Sequence, residues 1–377
     1  MTALFVLSIP VYASPEDDAA KIVDLFYDLR IPQTIQAVEK LDARYPESPA
    51  GQFYLSVAYY QEYLLEDPPS ARTFQQFQSA SEKALRKAVN FAKSSPALSH
   101  YYQGAVLGFQ ARAYVAQRSY GSAIPKARHA VSHLQKALEL DPSLEDTNLG
   151  LGLYYYFLDR IPKAAKPFAY MMVGMWGDRA KGLALIQGVS QKGGAARREA
   201  ESILAAIDAS QREQKWNEAV PLFMDLMTLY PHNPRYRLGL AYVYQRQGLW
   251  SKSLETADPE GSWLKELDPM IKQRTHSLVR YRAVENDLFI GRWQEAVILL
   301  DRLESNAVPP GLEDWVALRR GNALDAQGRR ADAAAYYNVI KSPKARDLAN
   351  IFLRTPFPDG SRDVMPNRWP LSNIPAQ

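Results

Sequence analysis

Cysteine is absent from all 377 residues. That excludes disulfides, thiolate metal sites, a cysteine nucleophile and a lipid-anchored N-terminal cysteine. Glycine is sparse, at 20 residues, below the usual ~7%. With Ala, Leu, Gln, Arg and Glu abundant, this points to helix. Period-2 alternation is missing, so no strands are expected. No run reaches the ~20 apolar residues that a membrane-crossing helix needs. A P-loop, an H-E-x-x-H helix and a G-x-S-x-G elbow are also missing, and with them the usual signatures of phosphoryl transfer, zinc hydrolysis and serine hydrolysis. What is present is a foldable globular composition, 47% hydrophobic and 23% charged, with a net charge of +4. So mild a basic balance gives no argument for a nucleic-acid partner.

Residues 2–13 read TALFVLSIPVYA. They have the length and apolarity of a signal-peptide core and end in Val11-Tyr12-Ala13, a small-residue cleavage pattern. No Lys or Arg precedes the run. The expectation is export, with cleavage near Ala13 and a polar mature chain from Ser14. A cytoplasmic chain with a short buried N-terminal segment is the alternative.

An internal repeat runs through the rest. Trp216 opens WNEAVPLFMDLMTLYP, and Trp250 opens WSKSLETADP 34 residues later. Ile207 pairs with Ala241 and Ala219 with Ser253 in the same register. Further copies read GRWQEAVILLDRL from Gly291 and GRRADAAAYYNVI from Gly328. The spacings from Gly248 to Gly291 and from Gly291 to Gly328 are 43 and 37 residues, so short insertions lie between them. Weaker copies upstream include Leu151, Gly152, Tyr155, Ala164 and Phe168, then Ala130, Leu134, Ala137 and Pro142. Turn-like segments recur at Pro46, Pro142 and Pro231.

These residues resemble the tetratricopeptide repeat (TPR) superfamily. Its pattern has small positions where two helices approach, aromatic positions that fill the groove between hairpins, a turn glycine and a terminal proline. The resemblance implies an all-α fold, a TPR-like α–α solenoid winding as a right-handed superhelix of antiparallel helix pairs. Residues 150–207, with LGLYYYF and then GMWGDRAKGL, are similar to a piece of bacterial cell-envelope TPR proteins. Helices are expected at 16–30, 33–45, 50–65, 71–93, 96–117, 121–140, 144–158, 162–172, 179–191, 195–212, 216–229, 234–248, 250–257, 270–290, 293–305, 311–327, 330–341 and 344–354. The helix at 179–191 reads as an extra one. The expected divisions are a signal segment 1–13, irregular TPR-like hairpins 14–142, a hairpin with an extra helix 143–207, TPR repeats 208–354 and a Pro-rich extended tail 355–377. In that tail Phe357, Val364, Met365, Trp369, Leu371 and Ile374 are apolar anchors suited to capping the last repeats.

Few residues invite chemistry. His129 and His133 share a helix face, but no Glu lies between them. Asp178, within Gly177-Asp178-Arg179, suits an N-cap better than an anion loop. Lys192-Gly193-Gly194 with Arg197-Arg198 reads as a helix break followed by a charged first turn. No catalytic residue, metal or cofactor is therefore expected.

Tyrosine is over-represented, at 22 residues, and suits recognition surfaces. A solenoid leaves a long concave face free. Helix periodicity projects onto that face Phe53, Val57, Tyr60, Leu149, Tyr156 and Phe157, then Arg235, Leu238, Tyr242, Gln245 and Arg246, then Tyr281, Glu285 and Phe289. The expected function is a non-enzymatic scaffold or adaptor that binds a protein or peptide partner in the bacterial cell envelope. The alternative is a periplasmic TPR protein, associated with a transporter, that encloses a small molecule.

Overall fold

The computed structural model describes residues 15–65, 71–117, 119–161, 164, 166–173, 176–267, 269–306, 308–309 and 311–357. Residues 1–13, expected to be a signal segment, and the tail beyond Phe357 lie outside the described residues. The helices are α1 (Pro15–Tyr27), α2 (Ile31–Arg44), α3 (Ala50–Leu65), α4 (Ala71–Phe91), α5 (Pro96–Ala116) and α6 (Tyr120–Leu140). There follow α7 (Thr147–Asp159), α8 (Lys166–Val173), α9 (Arg179–Lys192), α10 (Arg197–Asp208), α11 (Trp216–Leu229) and α12 (Pro234–Arg246). The last are α13 (Trp250–Ala257), α14 (Pro269–Ile290), α15 (Trp293–Glu304), α16 (Glu313–Ala326), α17 (Arg330–Val339) and α18 (Pro343–Arg354). Every one lies within four residues of the bounds expected from sequence. Among the described residues there is no strand. Except for α8 and α9, consecutive helices pack on each other, and α1, α3, α5, α6, α7, α12, α14 and α16 also reach the next but one. The fold is all-α, a TPR-like α–α solenoid.

The repeat chemistry explains the turns. Gly248, Gly291 and Gly328 follow α12, α14 and α16 with φ of +73°, +86° and +77°. In each case the next residue's N–H reaches back five residues, Leu249 to Tyr244 (2.8 Å), Arg292 to Asp287 (2.8 Å) and Arg329 to Leu324 (2.9 Å). This is the Schellman closure, which satisfies helix-end carbonyls and needs a left-handed residue. Leu29 makes the same closure after α1, with φ of +58° and Arg30 N–H bonded to Leu25.

Small residues set the helix spacing. Ala219, Ala296 and Ala333 are fully buried where α11, α15 and α17 meet their partners. In the repeat that has Ser253 instead, the hydroxyl donates to Ala241 O at 2.7 Å across to α12 and accepts from Asn286 at 3.0 Å. A Cβ on Gly239 would lie 2.5 Å from the Phe223 ring, and one on Gly321 2.3 Å from the Tyr337 ring.

One expectation is corrected. The helix outside the repeat rhythm is α8, not α9. A Cβ on Gly182 of α9 would lie 2.7 Å from Gly152 O on α7, so those two helices meet backbone to backbone. Ala164, expected at the close-approach position, is exposed. Local register favours the adjacent segment, whereas the true partner stands beyond an insertion.

The array is also not an open trough. One core joins Ile22, Phe26, Tyr27, Val38 and Tyr54 of α1–α3 to Ala205, Phe223, Leu226, Tyr230, Tyr236 and Leu240 of α10–α12. The C-terminal end of α1 clasps the α11–α12 turn. Tyr230 Oη donates to Asp24 (2.7 Å), His232 N–H to Asp28 Oδ1 (2.9 Å) and Asn233 Nδ2 to Tyr27 O (2.7 Å). Asn233 also caps α12 by accepting from Arg235 N–H.

Candidate partner-binding face

Of the residues projected onto a concave face, Phe53, Val57, Tyr60, Leu149, Tyr156, Leu238, Gln245, Tyr281 and Glu285 are buried. They face inward, but other helices cover the inner face there, so they do not line an open surface. Phe157, Arg235, Tyr242, Arg246 and Phe289 are half-buried.

The structure sorts these residues into three groups. The first is a polar hub where α1, α3, α5, α10 and α12 converge. Glu199 of α10 accepts from Tyr27 Oη at 2.5 Å, Arg112 at 2.8 Å and Gln61 at 3.4 Å. Arg235 donates to Gln61 Oε1 at 3.0 Å. The Arg112 guanidinium lies over the Tyr60 ring. Burial pushes the Tyr27 hydroxyl well above its ordinary range, and the Glu199 charge adds to this. Burial alone would depress Arg112, but Tyr60 and Glu199 more than offset it, so its guanidinium is held the more firmly charged. The hub is saturated with internal partners and fixes the helices in place.

The second group is a buried ladder through α12, α14 and α16. Glu285 accepts from Arg282 (2.8 Å), Arg319 (2.8 Å) and Tyr281 (2.9 Å). Arg282 also donates to Gln245, and Gln245 to Asn286 at 3.2 Å. Arg319 continues to Asn322 at 3.0 Å, which reaches Tyr337 at 3.0 Å. Burial opposes the Glu285 charge, but the two guanidiniums outweigh it and hold the carboxyl below its usual range. Sequence reading missed Arg282, Arg319, Asn286 and Asn322. The available signal was charge on every side of α14 and α16, which a surface helix does not need.

The third group is accessible. Around the α10–α11 turn, Gln211 binds Arg246 and Tyr242. With its amide oxygen turned to them, it accepts from Arg246 Nε at 3.1 Å and from Tyr242 Oη at 3.2 Å. Arg246 lies over the Trp216 ring and Arg282 over the Tyr242 ring. Next along, Glu213 is held by Arg179 (2.9 Å) and Tyr156 (3.0 Å), and Arg212 reaches Asp159 at 3.1 Å. Arg160 lies over Phe157. Arg160 and Arg246, both half-buried, thus each stack on a ring, whereas the Arg282 over Tyr242 belongs to the buried ladder. Stacking on Trp216 and the bond to Gln211 fix Arg246 before any ligand arrives, which lowers the ordering cost of recognition.

The other candidates resolve plainly. Asp178 caps α9, accepting from Lys181 N–H at 2.9 Å. His133 faces His100 across α5 and α6 with their Nδ1 atoms 2.8 Å apart, while His129 is exposed. Burial lowers the His133 pKa, and His100 and His129 lower it further. Among the described residues no group of three His, Asp or Glu has metal-binding geometry. A slit between α12 and α14, lined by Pro234, Leu238, Ile271 and Leu278, has a volume of about 10 Å³. That is room for a single water at most. A trough of about 600 Å³ between α13, α14 and α15 opens to solvent.

No family model matches this chain, and no curated protein matches it. Solved structures do. One, of Naa15/Naa10 bound to HypK-THB, aligns at 16% identity over 90% of this chain and 62% of the other, with a TM-score of 0.33. The chain thus spans less than two thirds of that relative. Another, a human IFIT1 dimer with m7Gppp-AAAA, aligns at 14% identity over 93% of this chain and 88% of that one, with a TM-score of 0.36.

Proposed function

We propose that this protein is a non-catalytic scaffold that holds a protein or peptide partner against a face that includes Phe157, Tyr242, Arg246 and Phe289. The observation that carries this reading is the pre-set pairing of Arg246 with Trp216 and Gln211. Fixed guanidiniums beside aromatic faces suit a segment with carboxylate and apolar side chains. The enclosed aromatic pocket that a small-molecule carrier needs has no counterpart in the slit or the open trough described above.

A photo-crosslinking residue placed at Tyr242 tests this in the native host, with Val339 on an exposed flank as control. A discrete crosslinked product from position 242, absent from position 339 and lost with Arg246→Glu, supports the reading. Equal products from both positions, or none, overturn it. Location in the envelope belongs to the same proposal and rests on residues 2–13. Native protein should begin near Ser14, and an intact Met1 on cytoplasmic protein would remove that part.

A further inference from the structure

The α8 insertion has properties that the solenoid does not require. Helices α7 and α9 pack directly on each other through Gly152 and Gly182, so α8 is not needed to complete their hairpin. The insertion leaves and rejoins the hairpin at one point. A Cβ on Gly177 would lie 2.1 Å from Asp159 N, and Asp178 N–H bonds Tyr155 O at 3.0 Å. Between these ends α8 rests on α6 and α7.

Its outer side is apolar and open to water. Tyr170, Met171 and Trp176 are 43%, 62% and 52% exposed. The Tyr170 and Trp176 rings stack at 4.5 Å and 12°, which aligns two flat amphipathic faces in one patch. No charged residue occurs from Pro167 to Gly177. Around this stretch the charge is strongly one-sided. Residues 160–198 hold eight Lys and Arg against the single acid Asp178, a net of +7 in a chain whose total is +4. Asp159, Glu213 and Glu201 pair with Lys166, Arg179, Arg197 and Arg198. Lys181 and Lys192 are exposed, and Lys181 donates to Tyr155 Oη at 2.8 Å.

We propose that the α8 insertion is the surface by which this protein rests on an anionic lipid bilayer. Tyr and Trp rings favour the headgroup boundary, where one end is apolar and the other wet. The basic excess of the segment adds attraction to anionic lipid, and neither contribution alone holds a protein firmly. A protein partner for an apolar patch in so basic a segment would need an acidic socket. A bilayer with anionic headgroups meets an exposed apolar patch without one. Among the described residues no helix is long and apolar enough to cross a membrane, so the contact is with the interface only.

The test is flotation of the full chain with extruded vesicles of phosphatidylcholine, with and without about one third phosphatidylglycerol. The chain should float with the anionic vesicles and fall away as salt rises from about 0.1 M to about 0.5 M. Met171→Glu with Trp176→Ser should weaken binding about tenfold or more, as should Lys181→Glu with Lys192→Glu. The variants' melting temperatures should match the parent's, because these side chains are exposed. Trp176 emission, taken as the difference between the parent and Trp176→Phe, should shift to the blue on anionic vesicles. Failure to float with either vesicle, or unchanged binding by the Met171/Trp176 variant, overturns the proposal. Crosslinking at Tyr242 is a separate readout, so the two proposals fail independently.

Discussion

Gly321 and Gly248 are required for different physical reasons, and the difference is measurable. Gly321 lies under the Tyr337 ring, 2.3 Å from where a Cβ would stand. Gly321→Ala should therefore overpack and cost about 1–3 kcal/mol. Gly248 has open space around it but a φ of +73°, so Gly248→Ala should cost about 1 kcal/mol in backbone strain. Pairing each with Tyr337→Leu in denaturant titrations separates the two, since only the Gly321 cost should shrink. Asp208 makes a pH-dependent case. Burial pushes its carboxyl up to about 6, opposed in part by Lys215 at 3.8 Å. The folded pKa thus exceeds the unfolded value of about 3.9. The stabilising contribution is complete below about pH 4 and lost as pH rises through about 6. Asp208→Asn should raise the melting temperature at pH 7.5 and not at pH 4. After allowance for water screening its open side, the gain should be about 1 kcal/mol.

At the scale of elements, α18 ends the described array and delivers Phe357 to a cluster of rings. Phe357 is buried against Phe289, Trp293 and Phe352 at centroid distances of 6.2, 5.6 and 6.0 Å. Phe357→Ala should cost about 3 kcal/mol in denaturant unfolding. Of the apolar anchors read in the tail, it is the one that the described residues include. Helix positions were legible because each carries its own periodicity, reinforced after α12, α14 and α16 by a turn glycine. The pairing of α7 with α9 was not, because Gly182 signals close approach without saying to what. The exposure of Tyr281, Glu285 and Tyr60 was misread for a related reason. Periodicity says which way a side chain points along its own helix. It does not say whether a helix distant in sequence covers that side.

At the scale of the whole molecule, the clasp between α1 and the α11–α12 turn makes distant segments mutually dependent. Asp28→Ala combined with Asn233→Ala should lower amide protection in 15–44 and in 226–243 together. A stack coupled only to nearest neighbours would lose protection mainly beside each substitution. Measurement by hydrogen exchange decides between them. The clasp also bears on how the chain is made. The inner side of α1 is completed by residues from Glu199 to Leu240, about two hundred positions later. At ordinary synthesis rates of roughly 5–20 residues per second, that is a wait of about 10–40 s on the ribosome. Throughout it Phe26 and Tyr27 have neighbours such as α2 and α3 to shelter them but not α10–α12, so α1 is made long before it reaches its final surroundings.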